Sequence, residues 1–292
     1  MRYQGAVIRP PSEADSLILQ VTYGCSNNGC TFCATYLEKP FRVRPFSEVV
    51  EDVRGLPLAV KRHARRVFLA DGDALMLPQS RLLELLSLLH DELPHLERVS
   101  SYATAQSLLR KSPEQLTRLA AAGLTLLFLG LESGDDATLE ACNKRVTVAE
   151  QVEASRRAVN AGMSMSITAI LGLAGVERSQ VHAVATGRAL SATDPQFIGV
   201  LSLMVVEGTP LARRVANGEF VVPDPLSMLS ELRTILAHTN VSDALFRSNH
   251  ASNYVSVGGR LPADKESMLS ALDTFLDAPD TGVMRPESWR AL

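Results

Sequence analysis

Six short apolar runs alternate with helical stretches between about residues 16 and 205, and this alternation restricts the fold more than any other feature. The runs are continuously apolar, which is typical of strands in a parallel sheet that is covered on both faces. The predicted strands are Leu17–Thr22, Arg66–Ala70, Arg98–Thr104, Leu124–Leu131, Ser164–Leu173 and Phe197–Leu203. Because six strand–helix units fall short of the eight in a closed barrel, we expect an α/β fold with an open sheet or partial (β/α)6 barrel.

Two of the intervening helices have readable starts. Ser112, followed by Pro113 and Gln115, matches a capping box, and Thr147 followed by Glu150 repeats the pattern. Ligands of such folds lie at the carboxyl ends of the strands, so the loops that follow the apolar runs are the expected functional loops.

The periodic pattern changes from about residue 211 onward. Three stretches there are predicted helices, and residues 244–259 mix polar and aromatic residues without a clear period. The sequence therefore predicts a lead-in at residues 1–15, a core at 16–208 and a mainly helical extension at 209–292 that caps the barrel.

Composition excludes several broad classes. Hydrophobic residues make up 46% and charged residues 21%, which is an ordinary balance for a soluble domain. The net charge of −3 gives no strong nucleic-acid signal. The first residues contain no apolar signal-peptide core, and the longest apolar run, Ile167–Val176, is too short to span a bilayer. We expect a cytoplasmic protein with no membrane partner.

Three of the four cysteines lie within nine residues, directly after the first predicted strand. Their spacing is Cys25-x4-Cys30-x2-Cys33, and Cys142 lies 109 residues beyond Cys33. A closed zinc site would need a fourth Cys or His ligand, and none is nearby. A plant-type [2Fe–2S] cluster begins with this spacing but would have to recruit Cys142. A [4Fe–4S] cluster with three thiolates and one open iron is the third possibility.

The cysteine loop "CSNNGCTFC" resembles the cluster loop of the radical S-adenosylmethionine (SAM) superfamily, in which many members place an aromatic residue, here Phe32, before the last cysteine. The commonest spacing there is three residues and then two, whereas this chain has four and then two. Three further segments are similar and occur in the same order. They are "LADGDAL" at 69–75, "GLESGDDATLEACNKR" at 130–145 and "ILGLAG" at 170–175. The second of these is similar to members related to oxygen-independent coproporphyrinogen III oxidase and to Elp3 and MiaB.

The resemblance implies a [4Fe–4S] cluster on Cys25, Cys30 and Cys33, with SAM at the open iron. Glu132 would bond the ribose hydroxyls and Lys144 would pair with the methionine carboxylate, roles that suit a carboxylate and a cation. The segment Asp71, Gly72 and Asp73 would hold the SAM amino group, and Gly172 would pass the adenine. The remaining expected SAM contacts are Phe32, Tyr102 and Ser133.

The same resemblance implies an enzyme that cleaves SAM reductively to a 5′-deoxyadenosyl radical, which takes hydrogen from a small-molecule substrate. Electrons would come from a donor such as flavodoxin or ferredoxin. Only Cys142 remains for any auxiliary cluster, so members with a cluster-bearing extension are not expected. A nucleoside, tRNA or peptide substrate stays open, as does an iron–sulfur electron-transfer protein without SAM chemistry.

Candidate substrate residues lie in the extension. The segment Arg247–Tyr254, "RSNHASNY", gathers polar side chains of the kind that bind ligands in loops over a barrel mouth. His250 is the candidate acid or base and Arg247 the candidate anion contact. A hydrogen-bonded surface turn would account for the same composition.

Overall fold

Six strands of the structure follow the predicted apolar runs closely. The computed structural model describes residues 1–291. The strands are β1 Leu17–Gln20, β2 Thr22–Tyr23, β3 Arg42–Val43, β4 Arg66–Ala70, β5 Arg98–Ala103, β6 Leu124–Glu132, β7 Ser164–Leu171, β8 Phe197–Ser202, β9 Ala244–Ser248 and β10 Val257–Leu261. Eight of these make up a mostly parallel sheet, while β2 and β3 form a separate antiparallel pair. The predicted α/β class is confirmed.

The helices alternate with the strands as the sequence predicts. They are α1 Phe46–Arg54, α2 Leu58–His63, α3 Gln79–Glu92, α4 Ala105–Leu109, α5 Pro113–Ala121, α6 Asp136–Ala141, α7 Val148–Asn160, α8 Gly175–Thr193, α9 Pro210–Ala216, α10 Pro225–His238 and α11 Lys265–Asp277. The capping boxes at Ser112 and Thr147 both form, the latter with Glu150 accepting from the Thr147 backbone N–H at 2.8 Å. Within residues 1–291, no helix has both the length and the apolar character that crossing a bilayer requires.

The described chain divides into two units. The first unit comprises Met1–Asn28, Thr35–Leu129 and Arg157–Met165. Within it β1 pairs with β4, β4 with β5 and β5 with β6, all in parallel. A core of Phe68, Ala70, Leu126 and Phe128 forms between these strands because their apolar side chains leave water together.

The second unit comprises Gly29–Ala34, Gly130–Arg156 and Ser166–Leu292. In it β7 pairs with β8 and β8 with β9 in parallel, and β10 closes the edge antiparallel to β9. The predicted boundaries at residues 15/16 and 208/209 stay a prediction.

The C-terminal part is helical, as expected, but it also contains the β9–β10 hairpin, which the sequence did not predict. Along β9, Ala244, Phe246 and Ser248 are buried and alternate with more exposed residues. Apolar Leu245 at a less buried position and polar Ser248 at a buried one hide this period of two in the sequence.

Candidate functional site

Asp71, directly after β4, connects the strand end to the chain before the first cysteine of the loop. Its side chain is fully buried. Its Oδ2 accepts hydrogen bonds from Gln20 Nε2 at 2.9 Å and from the Gly24 backbone N–H at 3.1 Å, and it pairs with Lys39 Nζ at 2.9 Å. The carboxylate predicted to lie in the SAM turn therefore fixes the backbone that leads into Cys25.

Gly72 is required by close packing in the first unit. A Cβ at this position would lie 2.8 Å from Cys25 Cβ and 2.9 Å from the Tyr36 ring. The Gly72 N–H donates to the Gly24 carbonyl at 3.0 Å. Only a residue without a side chain lets the turn and Cys25 approach this closely.

Asp73 carries a buried oxygen that no described residue satisfies. Its Oδ2 accepts from the Ser26 hydroxyl and, at 2.8 Å, from the Thr104 hydroxyl, while Oδ1 is buried without a hydrogen-bond partner. Burial raises the pKa of Asp73, against the lowering effect of the Ser26, Ser107 and Thr104 hydroxyls. An unsatisfied buried acceptor is costly, so this oxygen suits a ligand that donates, such as an ammonium group.

Tyr102, the remaining SAM candidate of the first unit, packs into an aromatic cluster. Its ring centroid lies 5.0 Å from that of Phe68 and 6.1 Å from that of Phe128, both edge-to-face. Burial raises the pKa of the phenol, as do the charges of Asp71 and Glu13.

Residues 29–34 of the cysteine loop belong to the second unit, where three hydrogen bonds fix them. The Thr31 N–H donates to the Cys142 carbonyl at 3.0 Å, and the Thr31 carbonyl accepts from the Leu211 N–H at 2.9 Å. The Asn143 amide donates to the Gly29 carbonyl at 2.8 Å. The loop thus docks against the segment that follows α6, which the sequence had matched separately.

Cys30 lies within electrostatic range of the predicted SAM residues. Burial raises the pKa of its thiol; Lys144 and Arg145 lower it, and Glu132 and Cys33 raise it. Cys25, Cys30, Phe32 and Cys33 are all half-buried. Over residues 1–291, no three His, Cys, Asp or Glu side chains are arranged around a single-ion metal site.

Glu132 and Lys144 form an ion pair in the second unit. Lys144 Nζ lies 2.7 Å from Glu132 Oε1, and both side chains are mostly buried. A Cβ at Gly130 would lie only 2.0 Å from Glu132 Oε1 and 3.2 Å from Lys144 Nζ. The glycine therefore leaves the space in which the pair forms.

The backbone around this pair is strained. Glu132 has φ +63°, and the two neighbours of Lys144, Asn143 and Arg145, have φ +54° and +57°. The described chain contains four non-glycine residues with positive φ, and these are three of them. Left-handed conformations are disfavoured for residues with a Cβ and concentrate at functional sites.

Ser133 and Gly172 both contact buried ionisable residues. The Ser133 hydroxyl lies 2.7 Å from His182 Nδ1, and the Gly172 N–H donates to Glu231 Oε2 at 2.6 Å. A Cβ at Gly172 would lie 2.7 Å from Met228 Cε, so packing as well as its φ of +78° requires glycine there. Sequence reasoning missed His182 and Glu231, because single polar residues inside amphipathic helices carry no distinctive pattern.

Cys142 is buried, and its backbone contacts the cysteine loop. Burial, and to a lesser extent proximity to Cys30, raises the pKa of its thiol to about 12. The fourth cysteine is thus much closer to the loop in space than its distance in sequence suggested.

Arg247 and His250, the candidate substrate residues, belong to the second unit, and their role stays a prediction. Arg247 is exposed on β9. His250 is half-buried; its Nδ1 accepts from the Ser252 N–H at 3.1 Å, and burial lowers its pKa, as does the charge of Arg285. The side-chain amide of Asn253 fixes the same loop, because it donates a hydrogen bond to the Val200 carbonyl at 2.8 Å.

The family model of the radical SAM superfamily matches residues 19–186, more than half of the chain. The chain belongs to this superfamily. It is therefore a radical SAM enzyme, with a [4Fe–4S] cluster and SAM as its cofactors.

Curated relatives place few limits on the reaction. An uncharacterised protein of Methanopyrus kandleri is 28% identical over 235 residues, which cover 75% of this chain and 43% of that protein. The chain therefore spans less than half the length of this relative.

Solved radical SAM structures share the fold. Methylornithine synthase has a TM-score of 0.53 and 20% identity, covering 77% of this chain and 63% of that chain. Coproporphyrinogen III oxidase of Escherichia coli has a TM-score of 0.56 and 16% identity, covering 76% and 51%. A radical SAM methyltransferase of Kitasatospora setae, solved with cobalamin and a [4Fe–4S] cluster, has a TM-score of 0.56 and 19% identity, covering 70% and 39%. At these identities the likeness shows the fold alone.

The residues present fit the superfamily's cofactors. Thiols are the usual ligands of iron–sulfur clusters, and the loop offers three. The unsatisfied Oδ1 of Asp73 suits an ammonium group, and the mostly buried Lys144–Glu132 pair offers a cation and a hydroxyl acceptor. The assignment of each residue to its ligand stays a prediction.

Proposed function

We propose that this chain cleaves SAM reductively at a [4Fe–4S] cluster held by Cys25, Cys30 and Cys33, and that the resulting radical takes a hydrogen atom from a small molecule. The observation that carries the proposal is the Lys144–Glu132 pair at the carboxyl end of β6, within electrostatic range of Cys30. The carboxylate can bind the ribose hydroxyls of SAM, the cation can bind its carboxylate, and the thiol can bind the cluster. An electron carrier without SAM requires neither the carboxylate nor the cation.

Cys25, Cys30 and Cys33 would hold the cluster, which would supply the one electron that reductive cleavage of the S–C5′ bond of SAM to methionine and a 5′-deoxyadenosyl radical requires. The protein's part is to bind, orient and exclude water. Lys144 neutralises the methionine carboxylate, while Glu132 accepts from the two ribose hydroxyls. A carboxylate has about four acceptor positions, so Glu132 can accept from the ribose and still contact Lys144.

The first unit holds the amino end of SAM in this proposal. Asp73 Oδ1 accepts from the SAM ammonium, which would satisfy a buried carboxylate oxygen that has no hydrogen-bond partner among the described residues. Asp71 Oδ2 is already bonded to Gln20, Gly24 and Lys39 and fixes the chain before Cys25. Its Oδ1 is also buried without a hydrogen-bond partner among the described residues, so it is a second candidate acceptor for the ammonium. Tyr102 contributes a packed wall through its cluster with Phe68.

The second unit contributes Phe32, Ser133 and Gly172 to SAM binding and carries the proposed substrate residues Arg247 and His250. We propose a cytoplasmic enzyme that takes its electron from a donor such as flavodoxin or ferredoxin. The absence of a strong basic character, with a net charge of −3, favours a small-molecule substrate over a polyanionic one.

The test is anaerobic reconstitution with iron and sulfide, followed by dithionite and SAM. We expect 5′-deoxyadenosine and methionine in equal amounts, slowly and without added substrate. A fully loaded [4Fe–4S] protein that forms no 5′-deoxyadenosine would refute SAM chemistry and favour an electron-transfer protein.

A matched pair of cysteine variants tests the ligand assignment. Cys33→Ala should lose the cluster, whereas Cys142→Ala should retain about four irons per chain, as expected for three-thiolate ligation of a [4Fe–4S] cluster. Loss of the cluster in Cys142→Ala would instead indicate four-thiolate ligation.

A further inference from the structure

A buried histidine on α8 contacts the segment that follows β6. His182 has no exposed surface, and its Nδ1 lies 2.7 Å from the Ser133 hydroxyl and 3.4 Å from the Thr186 hydroxyl. Both hydroxyl oxygens already accept backbone N–H groups, from Asp135 at 3.0 Å and from Gly134 at 2.9 Å. A hydroxyl can donate a proton and still accept a second hydrogen bond, so the contact to His182 Nδ1 forms with either imidazole tautomer.

A buried glutamate on α10 contacts the segment that follows β7. Glu231 is 1% exposed, and its Oε2 accepts the Gly172 N–H at 2.6 Å. The same oxygen lies 4.0 Å from His182 Nε2. Ser133, His182, Glu231 and Gly172 thus form one line of polar groups from the end of β6 to the end of β7, all within the second unit.

Packing alone does not explain this line. His182 Nε2 and Glu231 Oε1 are buried and make no hydrogen bond of good geometry with a described residue, although the Ile170 carbonyl and the Ser179 hydroxyl influence the pKa values of the two side chains. Leaving buried polar atoms unsatisfied is costly, and apolar side chains would fill the same space without that cost. At 4.0 Å, His182 Nε2 and Glu231 Oε2 are beyond hydrogen-bond distance of each other.

The charges around the line favour neutral groups. Burial lowers the pKa of His182 to about 4, against the opposing influence of Asp135 and the Ile170 carbonyl. Burial raises the pKa of Glu231 to about 7, against the Ser179 hydroxyl and the Gly172 N–H. Arg178, the other nearby charge, forms two hydrogen bonds with Asp135.

We propose that His182 and Glu231 are positioning residues, which fix the Ser133 and Gly172 backbone segments in the arrangement that binds SAM. Neither touches the cofactor in this proposal. Glu231 orients the Gly172 N–H and hence the peptide between Leu171 and Gly172, while His182 holds Ser133, the residue next to Glu132. This inference rests on the proposed SAM-binding role of those two segments.

The test compares two substitutions at one position in the reconstituted holoenzyme. Glu231→Met removes the acceptor of the Gly172 N–H at similar size, whereas Glu231→Gln keeps an amide oxygen there. We expect the SAM dissociation constant, measured by equilibrium dialysis, to rise on the order of tenfold in Glu231→Met, because a hydrogen bond to a carboxylate is lost. Glu231→Gln should stay within about threefold of the unsubstituted enzyme because the bond is retained.

Leu236→Ala is the matched control on α10. Leu236 is also fully buried, but its side chain is apolar and takes no part in the polar line. It should lower the melting temperature through a cavity and leave the SAM dissociation constant within about threefold. A wild-type dissociation constant in Glu231→Met, or an equal rise in Leu236→Ala, would overturn the inference.

Two further outcomes complete the design. If Glu231→Met does not fold, His182→Leu takes its place, since it removes the partner of the Ser133 hydroxyl at similar size; it too should weaken SAM binding, and unchanged binding would overturn the inference. If the fully loaded unsubstituted enzyme binds no SAM, the proposed function fails first and this inference fails with it. The two failures are distinguishable. Failure of the proposed function appears in the unsubstituted enzyme, whereas failure of this inference alone appears only when the variants are compared with it.

Discussion

Lys144 Nζ lies 2.7 Å from Glu132 Oε1, on a stretch of backbone where Glu132 and both neighbours of Lys144 have positive φ. The protein thus maintains a charge pair in a strained segment. Because the proposal assigns each partner a SAM group, Lys144→Met and Glu132→Gln should each raise the SAM dissociation constant on the order of tenfold to a hundredfold. Glu140→Gln, an exposed change on α6, is the control. Unchanged binding in both variants would mean that the pair is only structural.

Gly130→Ala should separate that pair without removing a charge. The new Cβ would lie 2.0 Å from Glu132 Oε1, so the carboxylate must move. We expect weaker SAM binding on the order of tenfold, with the cluster intact by iron and sulfide analysis. Gly199→Ala is the control, since its Cβ would meet nothing closer than 3.7 Å. Equal binding by the two variants would contradict the assigned role of Glu132.

Gly72→Ala should affect the cluster rather than the SAM affinity alone. Its Cβ would lie 2.8 Å from Cys25 Cβ, and the Gly72 N–H is bonded to the carbonyl of Gly24, the residue before Cys25. Displacing Cys25 should lower the iron and sulfide content per chain after reconstitution. The visible absorption of the cluster should fall with it and provides a second measurement. Full cluster loading in this variant would show that the loop adjusts freely.

Asp71→Asn tests whether this buried carboxylate is structural. The substitution would leave Lys39, only 11% exposed, without its counterion. It would also place amide N–H donors opposite Gln20 and Gly24, which themselves donate to Asp71. Removing one partner of a buried pair costs about 3–5 kcal/mol, measurable as a lower free energy of unfolding in urea on the cluster-free protein. The double variant with Lys39→Met should recover part of that loss. A cost below about 1 kcal/mol together with lost SAM binding would make Asp71 a direct ligand contact instead.

Stability should depend on pH through Glu231. Its pKa is raised to about 7 in the folded chain, so the folded state binds more protons than the unfolded state above pH 4.5. Stability is therefore lost as the pH rises from about 4.5 to 7, and Glu231→Gln removes this loss. The variant should gain up to about 3 kcal/mol relative to the unsubstituted chain across that window.

His182 provides the internal control for that measurement. Its pKa is lowered to about 4, so it contributes stability that is lost as the pH falls below 6.5. This dependence has the opposite sign and should persist in Glu231→Gln, whose unfolding free energy should rise from pH 4 to 6.5. A pH-independent difference between the two proteins would contradict the burial of an ionisable Glu231.

The sequence by itself determined the alternating strands and helices, the capping boxes and the cysteine loop. These follow from local rules: continuous apolar runs for covered strands, side chain–backbone bonds at helix starts, and thiol spacing. The sequence did not predict the β9–β10 hairpin, because apolar Leu245 and polar Ser248 interrupt the alternation of burial along β9. The SAM candidates came from the resemblance of four segments to the superfamily, and their roles stay predictions.

Only the tertiary structure decided which of those residues share a contact. Glu132 and Lys144 lie twelve positions apart, and nothing local in the sequence requires them to pair. The bond from Glu231 to Gly172 spans 59 positions, and that from Asp71 to Gly24 spans 47. Such contacts depend on how strands and helices pack. A buried polar group loses its hydrogen bonds to water and must bond a group that packing brings within reach. The spacing of residues in the sequence does not show which group that is.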